Sequence, residues 1–149
     1  MAGLLLAKPN ESIVSLTSES GSASVTDDQL SHLVHRFYAK VRQDEELGPV
    51  FNAAIHDWDE HLEKLSAFWS SVMLTSGRYK GNPMAAHLKH GETIRPPMFE
   101  RWLQLWRETA EETLDKNGAA GVVAKAERIA ESLQLGLFFR LDGRGVSAA

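Results

Sequence analysis

The 149-residue sequence contains no cysteine, which excludes disulfides, thiolate metal centres and cysteine nucleophiles while leaving the compartment open. It has no excess of basic residues either. Its 16 Lys and Arg are interleaved with 20 Asp and Glu for a net charge of -4, so no stripe exists that would track nucleic-acid phosphates or an anionic membrane surface. Long apolar runs are also missing. The densest, LQLGLFF at 133–139, falls far short of the roughly 20 residues that span a bilayer. Residues 1–25, MAGLLLAKPNESIVSLTSESGSASV, lack the basic start and the apolar centre of about 7 residues or more that mark a secretory signal. These absences lead to the expectation of a soluble, cytoplasmic protein with no nucleic-acid and no membrane partner. Internal repeats are absent, and no segment alternates with the period of a strand.

What is present reads as helix after helix. With 43% hydrophobic and 24% charged residues, the chain has the composition of one globular domain. The expected layout is a flexible arm over 1–25, a folded domain over 26–141 and a flexible tail over 142–149. Thr26 and Gln29 form a capping-box pattern, and Leu30, Leu33, Val34, Phe37, Tyr38 and Val41 follow at helical spacing, which predicts a helix over 27–43. A short helix beginning near Pro49 exposes Phe51 to the core. From 57 to 74, Trp58, His61, Leu62, Leu65, Phe68, Trp69 and Val72 share a broad apolar face. Asn82 and Pro83 open a very short helix that displays His87. Another helix starts at Pro96 or Pro97, carries Phe99, Trp102, Leu103 and Trp106, and is expected to stop before KNG at 116–118. The last is expected to run from about Ala119 to Phe139. The fold class is all-α.

Three of these apolar faces carry a residue with a polar tip: Tyr38, His61 and Trp102. Each holds a group that costs roughly 1–3 kcal/mol if buried without a partner. Taken singly, each is explained as ordinary core: a tyrosine reaching the edge, a histidine on a backbone carbonyl, a tryptophan as filler. Joined with a short segment whose chief content is His87, they suggest a pocket with an axial ligand on one side and three donors on the other. A metal held in a flat apolar cofactor suits such a pocket.

Over about residues 30–140 the sequence resembles the group III truncated haemoglobins. The residues that carry the resemblance are FYAKVRQDEELGPVF at 37–51, WDEHLEKLSAFWSSV at 58–72, GRYKGNP followed by His87 at 77–87, and FERWLQLW at 99–106. The resemblance implies a truncated globin fold, a two-over-two helical sandwich around haem b. It implies His87 as the proximal metal ligand, with Tyr38, His61 and Trp102 in the distal pocket and Leu65 as its apolar wall. Phe51 and Phe99 are then expected against the cofactor. After His87 comes LKHGETIRPP, where the family often has a Leu-Pro pair, and this makes His90 a rival ligand.

The activity so implied is binding of the diatomic gases oxygen, NO and CO by ferrous haem. NO- or peroxide-detoxifying chemistry would draw on an external reductase, and the chain is expected to be a monomer or a weak dimer. Two alternatives stand beside it: a cofactor-free α-helical interaction or sensor module, and a resting state with His61 and His87 both on the iron. The remaining features have plainer expectations. The pairs His32/His35 and His87/His90 have a metal-capable spacing that is common on exposed helices. Arg78, Tyr79 and Arg95 flank the His87 segment as candidate propionate partners or simple surface. Trp58, Trp69 and Trp106 read as core, and DEEL at 44–47 as solvent-facing residues and a cap.

Overall fold

Helix α1 (Asp27–Gln43) begins at the capping box anticipated from Thr26 and Gln29: the Thr26 hydroxyl accepts from the Gln29 N–H at 3.1 Å, and the Gln29 side chain accepts from the Thr26 N–H at 2.9 Å. Two otherwise orphaned donors are thereby satisfied. A computed structural model describes residues 25–88 and 93–138. Beyond α1 it comprises α2 (Gly48–Ala54), α3 (Trp58–Leu74), α4 (Pro83–Leu88), α5 (Pro96–Thr113) and α6 (Lys116–Phe138), with no strand among the described residues. None of the described helices is long and apolar enough to cross a membrane. The expected arm and tail lie outside the described residues, apart from Val25, which is buried.

The apolar stripe of α1 is wholly enclosed. Leu30, Leu33, Val34, Phe37 and Val41 are each 0% exposed, because α1 packs on α3 and α5 at once and on α2 at its C-terminal end. The approach of α2 depends on Gly48, where a Cβ would meet the Arg42 carbonyl oxygen at 2.8 Å. Helix α6 lies along α5, while the short α4 rests on α6. There Gly136 leaves room for the thioether end of Met84. At the centre, Trp106 stacks on Trp69 at 4.5 Å and donates its indole N–H to the Val122 carbonyl at 3.1 Å.

Two sequence expectations need correction. Helix α5 does stop before the KNG triplet at 116–118, but α6 begins at Lys116 and not at about Ala119, so the triplet forms its first turn. Asp115 caps it, its carboxylate accepting from Gly118 N–H at 2.7 Å and its carbonyl from Ala119 N–H at 2.8 Å. The break falls at Leu114, whose backbone is extended (φ -124°, ψ 163°). Trp58 is not core. It is only partly buried, with the Arg42 guanidinium 4.7 Å above its ring.

The DEEL turn does more than face solvent. Asp44 accepts from the N–H groups of Glu46 and Leu47 at 3.1 and 3.0 Å, and binds Arg101 on α5 through Nε at 2.8 Å and Nη2 at 2.7 Å. Burial would raise its carboxyl, but Arg101 and the two backbone donors together hold it below the ordinary value of 3.8. A carboxyl so lowered stabilises the fold above its unfolded-state pKa, and that contribution disappears as pH falls through the lower folded-state value. Asp44→Asn is therefore expected to lower the thermal unfolding midpoint at neutral pH, with the gap from wild type closing as pH falls below the ordinary carboxyl value of 3.8. A gap that persists undiminished in acid would show that the charge of Asp44 is not what ties the turn to α5.

Candidate functional site

The site is assembled by helices whose placement has just been described. Helix α1 contributes Tyr38, α2 Phe51, α3 His61 and Leu65, α4 His87, and α5 Phe99 and Trp102. On α3, His61, Leu65 and Phe68 fall on one stripe by helical spacing, whereas Trp69 and Ser70 are buried, Trp69 against Trp106 of α5. The pair α1–α3 and the pair α4–α6 make no extended contact with one another among the described residues. Large apolar side chains of α3, α5 and α6, among them Leu65, Phe68, Leu103, Ile129 and Leu137, remain only partly buried. Such a stripe of unfinished burial is what an apolar group would cover.

Tyr38 is 4% exposed. Its ring meets His61 edge-on at 6.4 Å and tilts against Phe51 at 5.8 Å. Burial pushes its phenol up to about 12, against a smaller opposing effect of a hydrogen bond from the Trp102 side chain. The Phe37 ring meets both Tyr38 and Trp102 edge-on, at 4.6 and 5.6 Å. His61 is half-buried beside Trp58, with ring centroids 5.8 Å apart. Burial lowers its pKa, and the nearby charges of Lys64 and His87 lower it further. The ring is therefore neutral at neutral pH.

His87 is oriented from within its own helix. Its Nδ1 lies 2.7 Å from the Pro83 carbonyl oxygen. Since a carbonyl can only accept, Nδ1 carries the proton and Nε2 is left with its lone pair. Histidines that ligate metals are held in this way, by a partner on the second ring nitrogen that fixes tautomer and direction. The spacing of four residues from Pro83 was visible in the sequence, but the partner was not anticipated. Phe99 is 8% exposed and packs with Ala130 and Leu133, flanked by Met84 of α4.

The other candidates separate from this group. Arg78 is paired with Asp27 at 2.9 Å, Tyr79 packs edge-on against Phe68 at 5.2 Å, and Arg95 is exposed. His35 turns its Nδ1 to the Ser31 carbonyl at 2.8 Å, and no cluster of three or more metal-ligating side chains occurs among the described residues. His90 lies outside the described residues. Two open surface depressions of about 510 and 540 Å³ are lined by charged residues of the α5–α6 side, including Arg107, Glu111, Glu100 and Glu127. They contain none of the converging residues, and their charge and openness make them ordinary solvent-filled grooves.

Residues 25–133 match the family model of the bacterial-like globins. The chain is 33% identical over 119 residues to a group 3 truncated haemoglobin of Campylobacter jejuni, an alignment spanning 74% of this chain and 90% of that one. It belongs to the bacterial-like globins, as a truncated haemoglobin of group III. The crystal structure of the group III truncated haemoglobin from Campylobacter jejuni matches this globin with a TM-score of 0.70 and 33% identity, covering 77% of this chain and 93% of that chain. The fold is accordingly the truncated globin fold that the sequence resemblance implied.

Globins are haem-binding proteins, and the donor set of this one fits that group. His87 of α4 offers an imidazole whose Nδ1 is held by a carbonyl, α1, α3 and α5 offer a phenol, an imidazole and an indole, and partly buried apolar side chains remain on α3 and α6. No carboxylate shares the converging set, as suits a face that must accept a flat apolar ring.

Proposed function

We infer that this globin holds haem b between α3 and the α4–α6 side, with His87 as the proximal ligand, and binds oxygen, NO or CO on the opposite face. The observation that carries the reading is the His87 Nδ1 contact with the Pro83 carbonyl at 2.7 Å, which leaves Nε2 as the free donor. When bound, the haem supplies a ferrous iron with affinity for diatomic ligands. The chain's own residues supply the rest. Phe51, Leu65 and Phe99 offer apolar contact for the ring. Tyr38, raised to about 12, keeps its proton throughout the physiological range and remains a donor. Trp102 is a donor by construction, its indole N–H having no capacity to accept. His61, with its lowered basicity, adds a neutral imidazole that can donate without charging the pocket.

A hydrogen bond to a ligand with negative character is worth about 1.5–3 kcal/mol. Tyr38→Phe is therefore expected to speed oxygen dissociation by roughly ten-fold to a hundred-fold, measured by stopped-flow displacement with CO. An unchanged rate would remove Tyr38 from the ligand-binding role. Turnover of NO or of a peroxide is compatible with the same three donors and would draw its electrons from an external reductant.

A further inference from the structure

The aromatic side chains do not end at the pocket. From Trp102, which meets the same Phe37 ring as Tyr38, the rings continue inward as a stack: Trp102 lies parallel to Trp106 at 5.8 Å and 3°, and Trp106 lies on Trp69 at 4.5 Å and 22°. Trp69 meets Phe68 edge-on at 5.5 Å, and Phe68 meets Tyr79 at 5.2 Å. Trp106 and Trp69 are 0% and 1% exposed, whereas Tyr79 is half-buried and reaches solvent on the segment before α4. Indole and phenol are the side chains most readily oxidised by one electron, apart from the thiols this chain lacks. Packing alone requires bulk here, not three stacked indoles that lead through Phe68 from the pocket to a tyrosine at the surface.

We propose that the Trp102–Trp106–Trp69 stack, ending on Tyr79, carries oxidising equivalents out of the haem pocket when the protein meets a peroxide. The idea rests on the haem reading above. Reduction of one hydrogen peroxide to two waters consumes two electrons and two protons. The stack delivers electrons to the pocket one at a time, each taken finally from Tyr79, while the protons come from solvent. On oxidation Tyr79 releases its phenolic proton to water and becomes a neutral radical. A small one-electron reductant, such as an ascorbate or a soluble phenol, then restores it at the surface by giving back an electron, with a proton returning from solvent.

The surroundings give this path a direction. The Trp106 N–H is held by the Val122 carbonyl, which cannot take its proton, so an oxidised Trp106 has no local base to trap it and passes the charge on. Tyr79 has water for that purpose. The other aromatic exit runs from Tyr38 to Trp58 at 6.0 Å, but the Arg42 guanidinium 4.7 Å over that ring disfavours a second positive charge there.

The chain has two tyrosines, Tyr38 and Tyr79, so the resting place of a tyrosyl radical is a two-way question. The ferric haem-loaded protein is mixed with hydrogen peroxide, freeze-quenched and read by electron paramagnetic resonance, after its Soret band has been recorded. Wild type is expected to give a tyrosyl signal. Tyr79→Phe is expected to lose it in favour of a tryptophanyl signal, and Trp106→Phe, which keeps an aromatic ring in the core, to lose most of the Tyr79 signal. A full Soret band with no protein radical, or with a tyrosyl signal that survives Tyr79→Phe and vanishes in Tyr38→Phe, overturns the path while leaving haem binding intact. Absence of any Soret band overturns the haem reading, and the path with it.

Discussion

His87→Ala is expected to lower the affinity of the protein for added hemin by more than about a hundred-fold. Loss of a partner that merely orients a metal-bound histidine costs about 10–100-fold, and removing the ligand itself must cost more. Helix α4 is only six residues long, and its histidine is aimed by the Pro83 carbonyl at 2.7 Å, so no neighbouring described side chain can take over the position. His61 belongs to α3, on the other side of the apolar stripe. Hemin titration followed at the Soret band measures the loss, and free imidazole added to the variant should restore a native-like spectrum by filling the vacated place. His90→Ala is expected to behave as wild type. Native affinity and spectrum in His87→Ala, together with their loss in His90→Ala, would move the proximal ligand three residues along the chain.

Trp106→Ala is expected to destabilise the fold by about 3–5 kcal/mol, the range for truncating a fully buried large aromatic. Trp106 is 0% exposed. Its ring stacks on Trp69 at 4.5 Å and on Trp102 at 5.8 Å, meets Phe37 edge-on at 4.9 Å, and donates to the Val122 carbonyl. Its loss therefore opens a cavity where α1, α3, α5 and α6 meet, rather than at one pairwise contact. At about 2–4 °C per kcal/mol for a chain of this size, the thermal midpoint should fall by about 6–20 °C. Urea unfolding should show a lower midpoint with an unchanged slope. A loss below about 1 kcal/mol would mean that the centre repacks freely around the missing indole.

The helices were legible wherever a local rule governed them. Thr26 and Gln29 mark the start of α1 because both halves of a capping box lie within four residues, and Pro96 opens α5 because its missing N–H costs nothing in a first helical turn. At 114–118 two local rules competed. Gly118 resembled a helix terminator, yet the Asp115 carboxylate reached its N–H and made it the third residue of α6. Long-range pairings left no local trace. Arg42 covering Trp58, and Arg101 reaching Asp44 across 57 positions, depend on how α1, α3 and α5 pack, which no window of neighbouring residues contains.

Much of the candidate site was visible for a different reason. Tyr38, His61 and Trp102 each place a polar tip on an otherwise apolar helical face, and burying such tips calls for partners. The structure sets Tyr38 edge-on to His61, and Phe37 meets both Tyr38 and Trp102 edge-on. The partner of His87 and the run of indoles behind Trp102 were not visible as units, although every residue concerned was named. Spacing shows which side chains share a face, but not which faces meet.

The measurement that bears most directly on the haem slot is the visible spectrum of the purified wild-type protein after hemin addition, recorded ferric, dithionite-reduced and reduced under CO. The predicted result is stoichiometric uptake with a strong Soret band that shifts on reduction and again with CO. A folded protein that stays colourless in excess hemin would contradict the account and favour a cofactor-free helical module. A reduced spectrum indifferent to CO, with low-spin character before and after, would instead place both His61 and His87 on the iron and contradict an open ligand site.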